Sequence, residues 1–143
     1  MKLVILLAGL ALLIGLAACG DDQPPVREAI TTETDTQIKI TGAGLGVSEP
    51  FRVKSRGSYK LYWKSAKEAG APNDPTSCPI KGEMESATQG IGFFRTLATE
   101  GTESTDKPGM MESRPFSLEA LSYAVKVDSA CEWELTFERQ LSR

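Results

Sequence analysis

No histidine occurs in these 143 residues. That absence removes Ser-His-Asp and Cys-His nucleophile arrangements, imidazole-based zinc and copper sites, and the side chain most often used as a general base near neutral pH. Cysteine is scarce as well, with three in the chain, too few for a Cys-based metal cluster. Aromatic residues make up 7%, and no run of like charge occurs. The net charge of −3 leaves no basic patch to meet nucleic acid or anionic lipid headgroups, so nucleic acid is not expected as a partner. A long apolar run occurs once, from Leu3 to Leu16.

Lys2 followed by that run has the form of a secretory signal, a basic start and an apolar stretch short of the roughly 20 residues that cross a bilayer. Leu16-Ala17-Ala18-Cys19 follows. This tetrapeptide resembles the lipobox of bacterial lipoprotein signal peptides. The resemblance implies cleavage before Cys19, acylation of Cys19 (the palmitate-type modification of that family), and a membrane-bound, extracytoplasmic protein of the cell envelope. Gly20, in place of the inner-membrane retention Asp, implies the outer membrane where the cell has one. The alternative is an uncleaved anchor ending in a chance cysteine. Loss of residues 1–18 takes Lys2 and no acid, moving the net charge from −3 to −4.

Gly20 to Thr36 is polar, contains Pro24 and Pro25, and shows no period. It reads as a tether of about 20–25 Å if flexible. Val26 and Ile30, four apart, could instead mark one helical turn. The expected division is therefore a signal peptide at 1–18, lipidated Cys19 and tether at 19–36, and one domain at 37–143.

From residue 37 the hydrophobic period is two. Ile38 and Ile40 alternate with polar neighbours, as do Phe51 and Val53, then Tyr59, Leu61 and Trp63, then Cys78, Ile80 and Met84. Ile91 to Thr99 and Pro115 to Leu118 add two less regular runs. Leu121, Tyr123, Val125 and Val127 form one clear strand, and Cys131, Trp133, Leu135 and Phe137 another. About seven or eight short strands, with a turn in place of any helix at Ser65–Ala69, predict an all-β fold, an antiparallel β-sandwich. Two segments share a shape, one from Pro50-Phe51 and one from Pro115-Phe116, each a short strand, a turn and a longer strand. The pattern resembles the jelly-roll and immunoglobulin-like modules of secreted bacterial proteins, which implies the fold and no activity.

With Cys19 assigned to lipid, Cys78 and Cys131 remain as an even pair on core-facing phases in an oxidising compartment. A disulfide is expected, and two free buried thiols are the alternative.

Candidate chemistry is thin, and no catalytic residue, cofactor or metal is expected. Glu83 with Glu85, and Glu132 with Glu134, could supply the paired acids of a glycosidase, but alternating Glu on a strand reads as a solvated face. Gly42, Gly44 and Gly46 miss the dinucleotide-binding spacing and read as a turn or bulge. Asp74, Asp106 and Asp128 lack calcium-loop spacing. Tyr62 and Phe94 fall on the outward phase, where they could stack on sugars. Met110 and Met111 lie in the loop Glu100 to Glu112, as an adaptable contact or as buried anchors. The expected function is a non-catalytic binding or structural module at the envelope, its partner an unknown envelope protein or a glycan. A glycan- or cell-wall-binding module is the second reading, and a hydrolase using paired Glu the third.

Overall fold

The structure, a computed structural model, describes residues 24–86, 94–97 and 101–141. Cys19 lies outside them, as does the side chain of Phe94. Among the described residues every regular element is a strand: β1 (Arg27–Glu33), β2 (Gln37–Ala43), β3 (Gly46–Ser48), β4 (Phe51–Arg52), β5 (Gly57–Ala66), β6 (Lys81–Ser86), β7 (Phe94–Leu97), β8 (Thr102–Glu103), β9 (Met111–Glu112), β10 (Phe116–Leu118), β11 (Ser122–Asp128) and β12 (Glu132–Arg139). The all-β expectation holds, with twelve strands in place of seven or eight. The four not foreseen are β1, β3, β8 and β9. Three of them have only two or three residues, too few for a period of two to register.

β1 corrects the expected tether. Residues 27–33 are a strand, so the sheet begins ten residues before the boundary placed at residue 37. Its amphipathic signal is weak because it is an edge, with Ala29 alone fully buried in the strand. β1 also joins the two layers. Arg27–Ala29 pair in parallel with Gly46–Ser48 of β3, and Ile30–Glu33 pair antiparallel with Ile38–Thr41 of β2. One layer runs β7-β6-β11, then β3 and β4, then the first half of β1. The other runs from the second half of β1 through β2, β12 and β5 to β9 and β8, with β10 also on β5. Every described pairing except β1–β3 is antiparallel.

The inward residues of both layers form one core. Ile38, Ile40, Leu61, Trp63, Trp133, Leu135 and Phe137 come from one side, and Phe51, Met84, Tyr123, Val125 and Val127 from the other. Cys78 and Cys131 are joined, with Cα atoms 5.6 Å apart. The bridge ties the β5–β6 connection to the β11–β12 turn, two places where the chain passes between layers. A 53-residue closure contributes about 4 kcal/mol in the chain-entropy account.

The two Pro-Phe segments share a device. Ser48-Glu49-Pro50-Phe51 lies along β11 and Ser113-Arg114-Pro115-Phe116 lies along β5. Val47 opposes Lys126 but Phe51 opposes Tyr123, so the segment carries one residue more than its partner. Glu112 opposes Tyr62 but Phe116 opposes Tyr59, the same one-residue bulge. Proline brings no amide to a ladder, so a bulge is where it fits. The serine repairs the break in each case. Val125 N donates to Ser48 Oγ at 2.9 Å, and Leu61 N donates to Ser113 Oγ at 3.1 Å. After each bulge the phenylalanine turns onto Phe137, with ring centroids 6.0 Å away for Phe51 and 6.4 Å for Phe116.

Removing either hydroxyl leaves a covered amide without its acceptor, a loss of about 1–3 kcal/mol. Ser48→Ala is expected to lower unfolding free energy in urea more than Ser113→Ala, because Ser48 and the Val125 amide are buried while the Leu61 amide is partly covered.

Candidate functional site

Strand alternation puts Lys60, Tyr62, Lys64 and Ala66 of β5 on the outer face of the β2-β12-β5 layer. Glu132, Glu134, Thr136 and Glu138 of β12 share that face, as do Lys39, Thr41 and Ala43 of β2. Register aligns them in rows across the strands. Ile30, Thr41, Glu134 and Lys64 form one row, and Ala43, Glu132 and Ala66 the next. The second row is low because two of its three residues are alanine.

A groove of about 340 Å³ runs over these two rows. Arg27, Glu28 and Ile30 of β1 close one end, and the turn Glu68–Ala71 closes the other. Glu134 lies in the floor, its carboxylate 3.0 Å from Lys39 Nζ and 3.6 Å from Lys64 Nζ. Ile30 is 71% exposed, an apolar side chain with no cover of its own.

The far wall is built on Ser65. The Ser65 amide donates to Asn73 Oδ1 at 2.9 Å, its carbonyl accepts from Asp74 N at 2.8 Å, and its hydroxyl donates to the Cys78 carbonyl at 2.5 Å. Asp74 closes the loop further: its carboxylate accepts from Ser77 N at 3.1 Å, and this backbone hydrogen bond holds the Asp74 carboxyl below the usual carboxylate range. Cys78 then fixes the end of the loop to Cys131, the residue before Glu132 in the groove floor. The chain that follows the Glu68–Ala71 turn is therefore fixed to β5 and β12.

No family model matches the chain, and no curated protein matches it. Two solved structures resemble it. One is the pre-peptidase C-terminal domain of a collagenase from Bacillus anthracis, 12% identical over 84% of this chain and 100% of that one, with a TM-score of 0.39. The other is a carbohydrate-binding module of Cellvibrio mixtus lichenase 5A, crystallised with cellotriose, 14% identical over 79% of this chain and 86% of that one, TM-score 0.32. Likeness this distant says nothing of what the groove holds.

The remaining half of the same sheet face is covered by the chain itself. The segment between β8 and β9 lies over Tyr62 and Thr136, both 2% exposed. Lys107 Nζ reaches Glu138 at 2.7 Å while standing 5.0 Å from the Tyr62 ring centroid. Lys60 Nζ is 5.6 Å from the same centroid and donates to Glu112 at 2.8 Å, and Ser104 Oγ donates to the other Glu112 oxygen at 2.6 Å. The hydrogen bond from Lys60, then that from Ser104, holds the Glu112 carboxyl below its ordinary range, and the bond to Glu112 holds the Lys60 ammonium above its own.

This cover overturns one expectation. Tyr62 lies on the outward phase as alternation requires, but it is no sugar-stacking platform, because a loop folds back over it. Met111 belongs to β9 opposite Trp63 and packs against the core, and Met110 is half-buried with its carbonyl accepting from Ser104 N at 2.8 Å. Glu83 and Glu85 lie exposed on β6 in the other layer, away from Glu132 and Glu134. The three glycines serve Trp133. A Cβ on Gly42 or Gly46 would fall 2.4 or 2.5 Å from Trp133 Cζ2, and Trp133 Nε1 donates to the carbonyl of Gly44, whose φ of 62° suits glycine. Groove residues such as Thr41, Ala43 and Ala66 carried no sequence signal, since small residues on an outward phase look like ordinary surface.

Two outcomes follow from these contacts. Cys78→Ala/Cys131→Ala is expected to lose about 2–4 kcal/mol and to speed hydrogen exchange at the Ser65 and Asp74 amides more than at Leu135. The Tyr62 cover has a pH window. Glu112 contributes fully above 4.5 and loses its contribution as pH falls through its lowered folded value; Lys60 contributes fully below 10.5 and loses it as pH rises through its raised one. The Ser104 and Lys107 amide resonances should hold constant between those limits and shift outside them.

Proposed function

We propose that this chain is a non-catalytic binding module, held outside the cytoplasm by lipid on Cys19, that takes its ligand in the groove beside β1. The observation that carries the reading is the divided sheet face. One half is sealed by the chain's own loop, and the other is left open with a wall, a charged floor and an uncovered Ile30.

The anchor rests on the lipobox resemblance and is supported by the cysteine pairing, since Cys78–Cys131 leaves Cys19 as the odd cysteine. A glycan ligand would find hydroxyl and carboxylate partners here, but among the described residues the exposed large apolar side chains are Val26, Ile30 and Leu141, none of them aromatic. The groove therefore favours a ligand recognised by charge and shape over one recognised by ring stacking.

Intact mass of the membrane fraction is expected to show a chain starting at Cys19 and carrying two or three acyl groups, and Cys19→Ser should move the protein out of that fraction. Ala43→Trp, which fills the floor from the open side, should lower co-sedimentation of the non-lipidated chain with isolated cell envelopes at least fivefold without lowering the melting temperature in proportion.

A further inference from the structure

The groove is unevenly charged. Glu28, Glu68, Glu132 and Glu134 line it against Arg27 and Lys64. Glu134 is met by Lys39 and Lys64. Glu28, Glu68 and Glu132 have no ion pair among the described residues; with Lys39 counted beside Arg27 and Lys64, four carboxylates face three bases, an excess of one negative charge. An anionic ligand would add to this excess, whereas a cation would be drawn into it.

The sealed half of the face shows what complements such a surface. There the occupant is a stretch of polypeptide, residues 104–110, whose Lys107 ammonium settles on Glu138. Glu138, Glu134 and Glu132 project from the same side of β12; Glu134 is already met by Lys39 and Lys64, so in the open half Glu132 is the member of this line with no ion pair among the described residues. From β1 across β2 and β12 to β5 the groove spans three inter-strand steps, roughly 14 Å, the length of about four extended residues. Its floor at Ala43 and Ala66 is shallow enough for a backbone to lie close to the sheet, and Ile30 offers an aliphatic contact at one end.

We propose that the ligand is a basic, extended polypeptide segment, with a Lys or Arg at the end lined by Glu68 and Glu132 and an aliphatic side chain against Ile30 at the opposite end. The proposal rests on the groove being the binding site and goes further by naming its ligand class. A short polyamine would satisfy the charge but leave Ile30 uncovered, and a neutral sugar polymer would leave the carboxylates unanswered.

The test is an amide-shift titration of the isotope-labelled full chain in detergent with three probes: a capped Ala-Lys-Val-Lys-Ala peptide, its counterpart with Glu in place of Lys, and cellohexaose. The lysine peptide is expected to shift Thr41, Ala43, Lys64 and Glu132, and the glutamate peptide to leave them in place. Glu132→Gln and Glu68→Gln, both at exposed positions, should each weaken the lysine peptide roughly two- to fivefold, and the reversal Glu132→Lys by more. Weakening by raised salt should accompany this. Equal binding of the two peptides, or lysine-peptide binding indifferent to Glu132→Lys, would overturn the proposal. Shifts at these amides with cellohexaose alone would overturn the ligand class while leaving the groove as the site. No groove shift with any probe at millimolar concentration overturns it as well; the groove itself is then judged by Ala43→Trp against whole envelopes.

Discussion

Phe137 is the point on which the two layers are assembled. It projects inward from β12, fully buried, and is met from the opposite layer by Phe51 and from its own layer by Phe116. Neither phenylalanine would arrive there along a regular ladder. Each follows a bulge at a proline, and each bulge is stable because a serine hydroxyl takes the amide that the ladder drops. Phe51 also touches Tyr123 at 6.3 Å, so the contact continues into β11. The same device thus operates once in each layer, and the core closes because both phenylalanines converge on one ring.

A second constraint acts through tryptophan and glycine. Trp133 is too large for the space beneath β2 and β3 unless the residues above it have no side chain. Gly42 and Gly46 meet that need, and Gly44 both turns the chain and accepts the indole N–H. Trp63 is seated in the same manner under Gly101, where a Cβ would fall 2.2 Å from the ring.

Fold class was legible because apolar side chains recur with period two in the long strands. Leu121 to Val127 and Cys131 to Phe137 keep strict alternation, and the structure makes strands of Ser122–Asp128 and Glu132–Arg139. The disulfide was legible from the same phase together with the cysteine count. What escaped is what period cannot carry. β1 buries one residue and reads as tether, and β8 and β9 are two residues each. Tyr62 was assigned to the correct face and the wrong environment, since alternation reports which side a residue points to and not whether a loop forty residues on folds over it. The groove was invisible for a related reason: its floor joins positions 30, 41–43, 64–66 and 132–134, whose proximity exists only once register is set. The repeated Pro-Phe was visible, but its meaning lay in the serine two residues before each proline.

β1 also changes the geometry that an anchor on Cys19 would impose. With a tether reaching residue 36, the domain could stand up to about 60 Å from the bilayer when the tether is stretched. With a strand starting at Arg27, seven residues separate Cys19 from the sheet, a reach below about 30 Å even when fully extended. Arg27 and Glu28 both begin β1 and line the groove. A lipid on Cys19 therefore keeps the groove itself, and not merely the domain, within that distance of the membrane surface. Under the proposed anchor a ligand would be met close to the bilayer, and the short leash would raise its effective concentration for a segment emerging from the same membrane. A freely diffusing ligand would gain nothing from that placement.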